Sequence, residues 1–445
     1  MDIRDNPSLE QIEMRDPVHL CCLALASKLG SDKLAYPDSS AYNGSLASYY
    51  SLQQETIRPA CILFPRTVHE VSNAVQILSK NTAYGCCDFA IRSGGHTSWA
   101  GASNIAGGVT LDLRGLDSVD VKENGAMVQV GTGATWDAVY TKLDPLGRSV
   151  AGGRVAGVGV GGLTLGGGIS HLSTLHGWTC DTVRNFQVVL SNGAIVDANA
   201  DENADLFFAL RGGGNNFGVV TRIDLNTYEQ GPIWSGFSLS ETTVLDANIK
   251  EFVRISTAKD YDQHASFMLS FAYVGPLGGS LLANTLTYTK GVENPPIYER
   301  ILALPTLMSS SGIKNITAAS DDLAALVPHG ASTQYRTRTI ISTEPVLHAI
   351  HAIWEESLLT SGKISGISGS ISFEPIPPVM YERHAADNAL GLADRDGAAL
   401  LVVLLDIRWD NASDDELVLS TCKSVMDDVS GPRFIAPRFI PILTS

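Results

Sequence analysis

A chain of 445 residues is long enough for two or three domains, each with a core of its own. Hydrophobic residues make up 44% and charged residues 18%, which excludes a wholly disordered chain. The formal net charge of −16, from 31 Lys and Arg against 47 Asp and Glu, argues against nucleic acid or an anionic membrane as partner, because both demand basic surface.

At the N-terminus, Met1-Asp-Ile-Arg-Asp lacks the apolar stretch of a secretory signal, and no run reaches the length of a membrane span, so neither is expected. Of the seven cysteines, Cys21, Cys22, Cys61, Cys86 and Cys87 crowd together, while Cys180 and Cys422 stand apart. Their spacing is not that of a zinc site; it fits a disulfide or two, or buried free thiols. Glycosylation triplets begin at Asn43, Asn315 and Asn411. With the cysteines they hint at a secreted ancestry, against the missing signal, and the compartment stays open.

Thr67 and Glu70 form a capping box ahead of Val68, Val71, Val75 and Leu78 on one face, which predicts a helix over 67–80. Asp88–Arg92 reads as a strand whose exit turn is Ser93-Gly94-Gly95-His96. Val109–Leu113 and Ala126–Val130 alternate as strands, and Thr135–Leu143 reads as a helix. A hairpin follows over 186–197, with Asn192-Gly193 as its type I′ turn. Glu202–Leu210 is helical in pattern, and Gly218–Leu225 is a further strand.

Beyond Tyr228 glycine thins out, and Gly231-Pro232 marks a boundary. The remainder mixes strands (Ser266–Val274, Ala283–Tyr288, Ala399–Leu405) with helices (Leu245–Ser256, Val346–Leu358, Asp414–Asp427), as in an α+β domain laid over the first.

Glycine is the informative residue, since 26 of the 42 lie between Gly85 and Gly218. Such density suits backbone that takes positive φ or approaches something closely. The run Gly152–Gly168 contains G-x-G-x-x-G at Gly157, Gly159 and Gly162, with Asp181 nineteen residues further on. A dinucleotide fingerprint needs an apolar strand before it and a helix after it. Asp144-Pro-Leu-Gly-Arg-Ser and Gly166-Gly167-Gly168 oppose both, so an irregular loop lined with backbone N–H groups is expected. His348, His351 and Glu355 share a helical face, where a solvated or half-buried surface is expected rather than a metal site. Neither G-x-S-x-G nor H-E-x-x-H occurs, which leaves hydrolase chemistry without a foothold.

Arg92-Ser-Gly-Gly-His96, the run Val158–Gly168, Trp178-x-x-Asp181-x-Val183 and Arg211-Gly-Gly-Gly-Asn-Asn-Phe-Gly-Val-Val-Thr221 together resemble the berberine-bridge-enzyme-like branch of the vanillyl-alcohol-oxidase family of flavoproteins, and its fungal secondary-metabolite members most of all. The likeness continues more faintly through Asn388–Leu392 and Trp409. It implies an α+β, two-domain PCMH-type FAD-binding fold: residues 1–228 for FAD, with a core at about 57–228, and 229–445 for the substrate, as an antiparallel sheet covered by helices.

By the same resemblance, the FAD site comprises Arg92, Ser93, Gly94, Gly95, His96, Thr97, Val158, Gly161, Gly162, Leu163, Gly166, Gly167, Gly168, Asp181 and Val219. His96 matches the histidine bonded to the flavin 8α-methyl, which raises the cofactor's potential. Val155 stands where doubly attached members have a cysteine, which implies a single bond. Val158 matches the position that gates oxygen, and a small valine there resembles the oxygen-reactive members. The family's C-terminal Asn-Tyr segment has no match in Pro437–Ser445, so a shortened return to the flavin domain is expected.

The expected function is an FAD-dependent oxidase that transfers hydride from a small organic substrate to flavin N5, with oxygen as the final acceptor. The rivals are a non-redox cyclase and a flavin-free binding protein on the same fold. Candidate proton acceptors are Tyr273, Tyr288, Tyr335, Tyr381 and Glu374, with Tyr381 and Glu374 as the catalytic choices.

Overall fold

The structure, a computed structural model, describes residues 17–80, 87–275, 279–327, 329–395 and 397–430. Cys86 and Pro437–Ser445, both invoked above, lie outside the described residues.

The first half is built around two small sheets, beside a two-residue ribbon that pairs Arg148–Ser149 with Tyr228–Glu229. Helix α1 (Pro17–Leu29) precedes strands β1 (Leu34–Ala35) and β2 (Cys61–Leu63); α2 (Val68–Lys80), β3 (Phe89–Arg92) and β4 (Val109–Asp112) follow. The sheet order is β1-β2-β4-β3, with β4 parallel to both of its neighbours. Two disulfides, Cys21–Cys87 and Cys22–Cys61, tie α1 to this sheet, while Cys180 and Cys422 are buried thiols. At α2 the Thr67 hydroxyl accepts from Glu70 N at 3.2 Å, and the Glu70 carboxylate accepts from Arg66 N at 2.7 Å, so the capping box forms one residue out of its usual register.

The second sheet holds β5 (Val119–Lys122), β6 (Met127–Gly131), β7 (Val183–Val189), β8 (Ile195–Asn199) and β9 (Val219–Asn226), in the antiparallel order β5-β6-β9-β7-β8. Its apolar face packs on α3 (Trp136–Leu143) through Val128, Val130, Trp136, Val139, Phe186 and Ile223. Between β7 and β8 only Gly193 of the expected Asn-Gly pair takes a positive φ, of +82°. Gly193 N donates to Leu190 O at 2.8 Å, and Leu190 N donates to Ala194 O at 2.9 Å. The connection is therefore a three-residue loop with a bulge at Gly193, not a type I′ turn.

A second correction concerns the glycine run. A six-residue helix, α4 (Val160–Leu165), sits inside what was expected to be an irregular loop. Val160 and Leu165 are buried in the core beside Trp136 and Leu172, and that burial offsets the cost of about 1 kcal/mol for each interior glycine. Positive φ at Gly167 (+110°) and Gly168 (+80°) ends the helix.

The second half is one large antiparallel sheet. It contains β10 (Ile233–Glu241), β11 (Ala265–Val274), β12 (Ser280–Tyr288), β13 (Met308–Lys314), β14 (Ser332–Ile341), β15 (Ser368–Ile376) and β16 (Leu400–Trp409), ordered β13-β10-β12-β11-β15-β16-β14. Strand alternation gives this sheet two chemistries. Phe267, Phe271, Phe373, Val403 and Leu405 point to the side covered by α5 (Leu245–Ser256), α6 (Glu344–Ser361) and α7 (Asp415–Asp428), where the largest core lies. On the opposite face, register places Tyr335 against Asp406 and Asp406 against Ser370, Ser372 against both Leu404 and Ser270, and Glu374 against Val402. No described helix is long and apolar enough to cross a membrane.

Candidate active site

Strand β3 delivers the Ser93–His96 turn to the centre of the first half. Gly94 faces Gly159 so closely that a Cβ on Gly94 would lie 2.6 Å from Gly159 N. Ser93 Oγ ties the two turns together: it donates to Thr132 O at 2.6 Å and accepts from Gly161 N at 3.3 Å. Gly95 has a φ of +72°, and a Cβ there would strike Arg92 Nε and the Tyr49 ring. Gly162, by contrast, opens on space in which a Cβ would meet nothing within 4 Å. A second meeting of glycine turns lies at Leu390, which touches the ideal Cβ positions of both Gly167 and Gly212.

The His96 imidazole stacks on Tyr50, with centroids 3.9 Å apart and planes at 20°, and meets His329 edge-on at 5.8 Å. Its Nε2 is shut off from solvent and has no hydrogen-bond partner among the described residues. Burial, aided by the neighbouring His329, pulls its pKa down to about 4, so the ring is neutral at physiological pH.

Opposite stands the polar face of the large sheet. The Tyr50 hydroxyl is hydrogen-bonded to that of Tyr335 and accepts from Arg408 Nη2 at 3.0 Å. Asp406 lies 3.5 Å from the same Nη2, and burial pushes its pKa up to about 6. Further along this face, Glu374 accepts from Arg154 Nη2 at 2.6 Å, an ion pair that joins the glycine run to β15. His171 is buried, both its ring nitrogens unpartnered among the described residues, and burial together with Arg154 lowers its pKa to about 3.

The predicted residues divide. Ser93, Gly94, Gly95 and His96 share one turn, which Ser93 ties to Gly161, and the adjoining Gly162 faces open space. Thr97 O accepts from Ser51 Oγ, Val158 O accepts from Trp136 N, and Leu163 lines the core beneath. Arg92 turns away: its guanidinium lies over the Tyr49 ring at 3.7 Å and donates to Ser45 O and Ser48 O, which fixes the turn from behind. Gly166, Gly167 and Gly168 close α4, and Gly167 O and Gly168 O accept from Cys180 N and Thr179 N. Asp181 is the knot of the two halves, accepting from Asn388 Nδ2 at 2.7 Å and Trp178 N at 2.9 Å, with Arg211 at 3.7 Å. Val219 is buried against Val71, Val75 and Val189.

Tyr381 lies in an apolar cluster with Trp178 and Ile376, and its hydroxyl donates to Ala398 O at 2.9 Å. Tyr335 is the candidate tyrosine that comes to His96, one ring away. Tyr50, Arg154, His171, His329, Arg408 and Asp406 were not singled out from sequence. The one signal available was the alternation of Asp406 and Arg408 on an otherwise apolar strand. Away from the site, His351 pairs with Glu355 at 3.3 Å, and no three His, Cys, Asp or Glu side chains gather as a metal site among the described residues.

Residues 59–199 match the FAD binding domain family. An FAD-dependent monooxygenase of Cochliobolus heterostrophus is 35% identical over 413 residues, covering 89% of this chain and 78% of the relative. A protein of Diaporthe leptostromiformis named as an oligopeptidase is 41% identical over 408 residues; the match takes in 91% of this chain but spans about a third (32%) of that relative's length. Among solved structures, a berberine bridge enzyme variant in complex with (S)-reticuline superposes with a TM-score of 0.76 at 16% identity, covering 96% of this chain and 87% of the other. Glucooligosaccharide oxidase from Acremonium strictum, with 6-S-cysteinyl, 8α-N1-histidyl FAD, does so with a TM-score of 0.73 at 20% identity, covering 93% and 87%. The chain belongs to the family of the fungal FAD-dependent monooxygenases, which are FAD-linked oxidoreductases, and it shares the fold of berberine bridge enzyme.

Proposed function

We propose that this enzyme is an oxidase of a small organic molecule of fungal secondary metabolism, with FAD carried covalently on His96 alone. The residues present fit that cofactor: Gly162 faces open space that backbone N–H groups can share with a phosphate, and the neutral His96 imidazole presents a nitrogen that no other described residue uses. When bound, FAD supplies a hydride acceptor at N5 that oxygen can reoxidise. On this reading residues 1–228 hold the cofactor and 229–445 shape the substrate pocket.

The chain's own groups then have distinct tasks. The contact between Gly94 and Gly159 fixes the two turns that flank His96. Val155, in place of a cysteine, leaves His96 as the single attachment point, and Val158 keeps the flavin's edge open to oxygen. Arg154 holds the Glu374 carboxylate on the polar face of the sheet, where it can take the substrate's O–H or N–H proton. Tyr381, committed to Ala398, leaves that role to Glu374.

The unpartnered, neutral His96 at the meeting of two glycine turns carries this reading. Acid precipitation of the purified protein tests it: the pellet should be yellow, and His96→Ala should move the colour to the supernatant. Anaerobic substrate should bleach the flavin, with peroxide released on admission of air. Turnover of substrate without bleaching would favour cyclisation, and a protein that stays colourless with added FAD would sink the reading.

A further inference from the structure

The residue that holds His96 in place comes from outside the glycine turns. Tyr50 is 2% exposed, covers one face of the imidazole, and donates its backbone N–H to Gly95 O at 3.3 Å, in the turn that carries His96. Its other attachments reach the second half. Gly330 N donates to Tyr50 O at 3.0 Å, Leu52 N donates to Ala331 O at 3.0 Å, and Tyr335 and Arg408 hold the hydroxyl. Arg408 comes from β16 and Tyr335 from the neighbouring β14, so the large sheet positions the ring that positions the histidine.

We propose that Tyr50 is a positioning residue for covalent attachment of FAD, clamping the His96 ring by stacking while Arg408 and Tyr335 anchor its hydroxyl, so that attachment requires the second half to be docked. The proposal rests on the reading of His96 as the attachment site. In the step concerned, a bond forms between an imidazole nitrogen of His96 and the 8α carbon of FAD. A C–H bond of that methyl group and the imidazole N–H bond break, their two protons leave, and the electron pair of the C–H bond passes into the ring system. Dioxygen then accepts two electrons and two protons and departs as hydrogen peroxide. An imidazole free to rotate would seldom meet the methyl carbon in line, so the clamp acts on the rate of attachment rather than on affinity for FAD.

The test uses full-length apoprotein from a riboflavin-starved host, mixed with FAD in air. Two quantities are followed: FAD bound in total, and FAD retained in the acid-precipitated pellet with time. Tyr50→Leu should bind FAD as wild type does but attach it at least about fivefold more slowly. Tyr50→Phe and Arg408→Met, which keep the stack and lose the anchor, should be slowed less. An attachment rate within about twofold of wild type in Tyr50→Leu, or in both milder variants should that one fail to fold, overturns the proposal. A wild-type pellet without flavin, or a yellow pellet from His96→Ala, instead overturns the attachment reading beneath it.

Discussion

The two halves make their contributions to the site from different materials. In the first half much of the candidate site is main chain: beside the side chains of Tyr50, His96, Arg154 and His171, Gly94, Gly159, Gly161 and Gly162 contribute backbone alone, and a Cβ on Gly94, Gly159 or Gly161 would press on a neighbour. In the second half the site is side chains, with Tyr335, Ser370, Ser372, Glu374, Asp406 and Arg408 standing on one face of a sheet whose other face is apolar core. A site made of backbone constrains residue type at every position and leaves a motif. A site made of alternating side chains constrains a face and leaves almost none.

The halves also differ in how they are held, and this gives the largest expected effect. Two disulfides staple the first half, and none occurs in the second among the described residues. Loop-closure entropy for the 39-residue separation of Cys22 and Cys61 corresponds to about 4 kcal/mol. Paired Cys22→Ser and Cys61→Ser substitution should therefore lower the urea midpoint of the first half while peptide-level hydrogen exchange in β10–β16 changes little. Equal loss of protection in both halves would show that they unfold as one unit and would break the comparison.

The same contrast decides what could be read from sequence. The helix over 67–80, the strand into His96 and the helix over 245–256 were legible because period and capping are local. Helix α4 was missed because its stability comes from burial of Val160 and Leu165, which outweighs the glycine penalty that argued against it. Tyr381 was chosen and Tyr50 overlooked for one reason: proximity to His96 is set by pairing across more than two hundred residues, as in Tyr50 with Tyr335 and Arg408.

Acid should act on the halves with opposite sign. Burial raises the Asp406 pKa to about 6, so the folded protein holds a proton that the unfolded chain releases between about pH 4 and 6. That contribution is complete below the unfolded value and is lost as pH rises through 6. His171, lowered to about 3, does the reverse: its contribution is complete above about pH 6.5 and is lost as pH falls. Asp406→Asn should thus stabilise the second half at pH 7.5 by about 3 kcal/mol and have little effect near pH 4. His171→Leu should spare the first half from acid without a matching change at pH 7.5. Hydrogen exchange at both pH values reads each half separately, and parallel pH responses would refute the assignment.

The smallest effects separate the two uses of glycine within the first half. A Cβ at Gly94 would press on Gly159 N at 2.6 Å, against backbone that cannot swing aside, so Gly94→Ala should cost about 1–3 kcal/mol and lower the melting temperature. Gly162 sits inside α4 with nothing within 4 Å of its ideal Cβ. There alanine should leave the apoprotein as stable as wild type or more stable by up to about 1 kcal/mol, from helix propensity alone. If the open space at Gly162 is where the cofactor's phosphates approach the backbone, that same methyl should weaken FAD binding in the stabilised protein. Gly94→Ala should lose fold and flavin together, whereas Gly162→Ala should lose flavin alone. Undiminished FAD affinity in Gly162→Ala would move the phosphates away from α4.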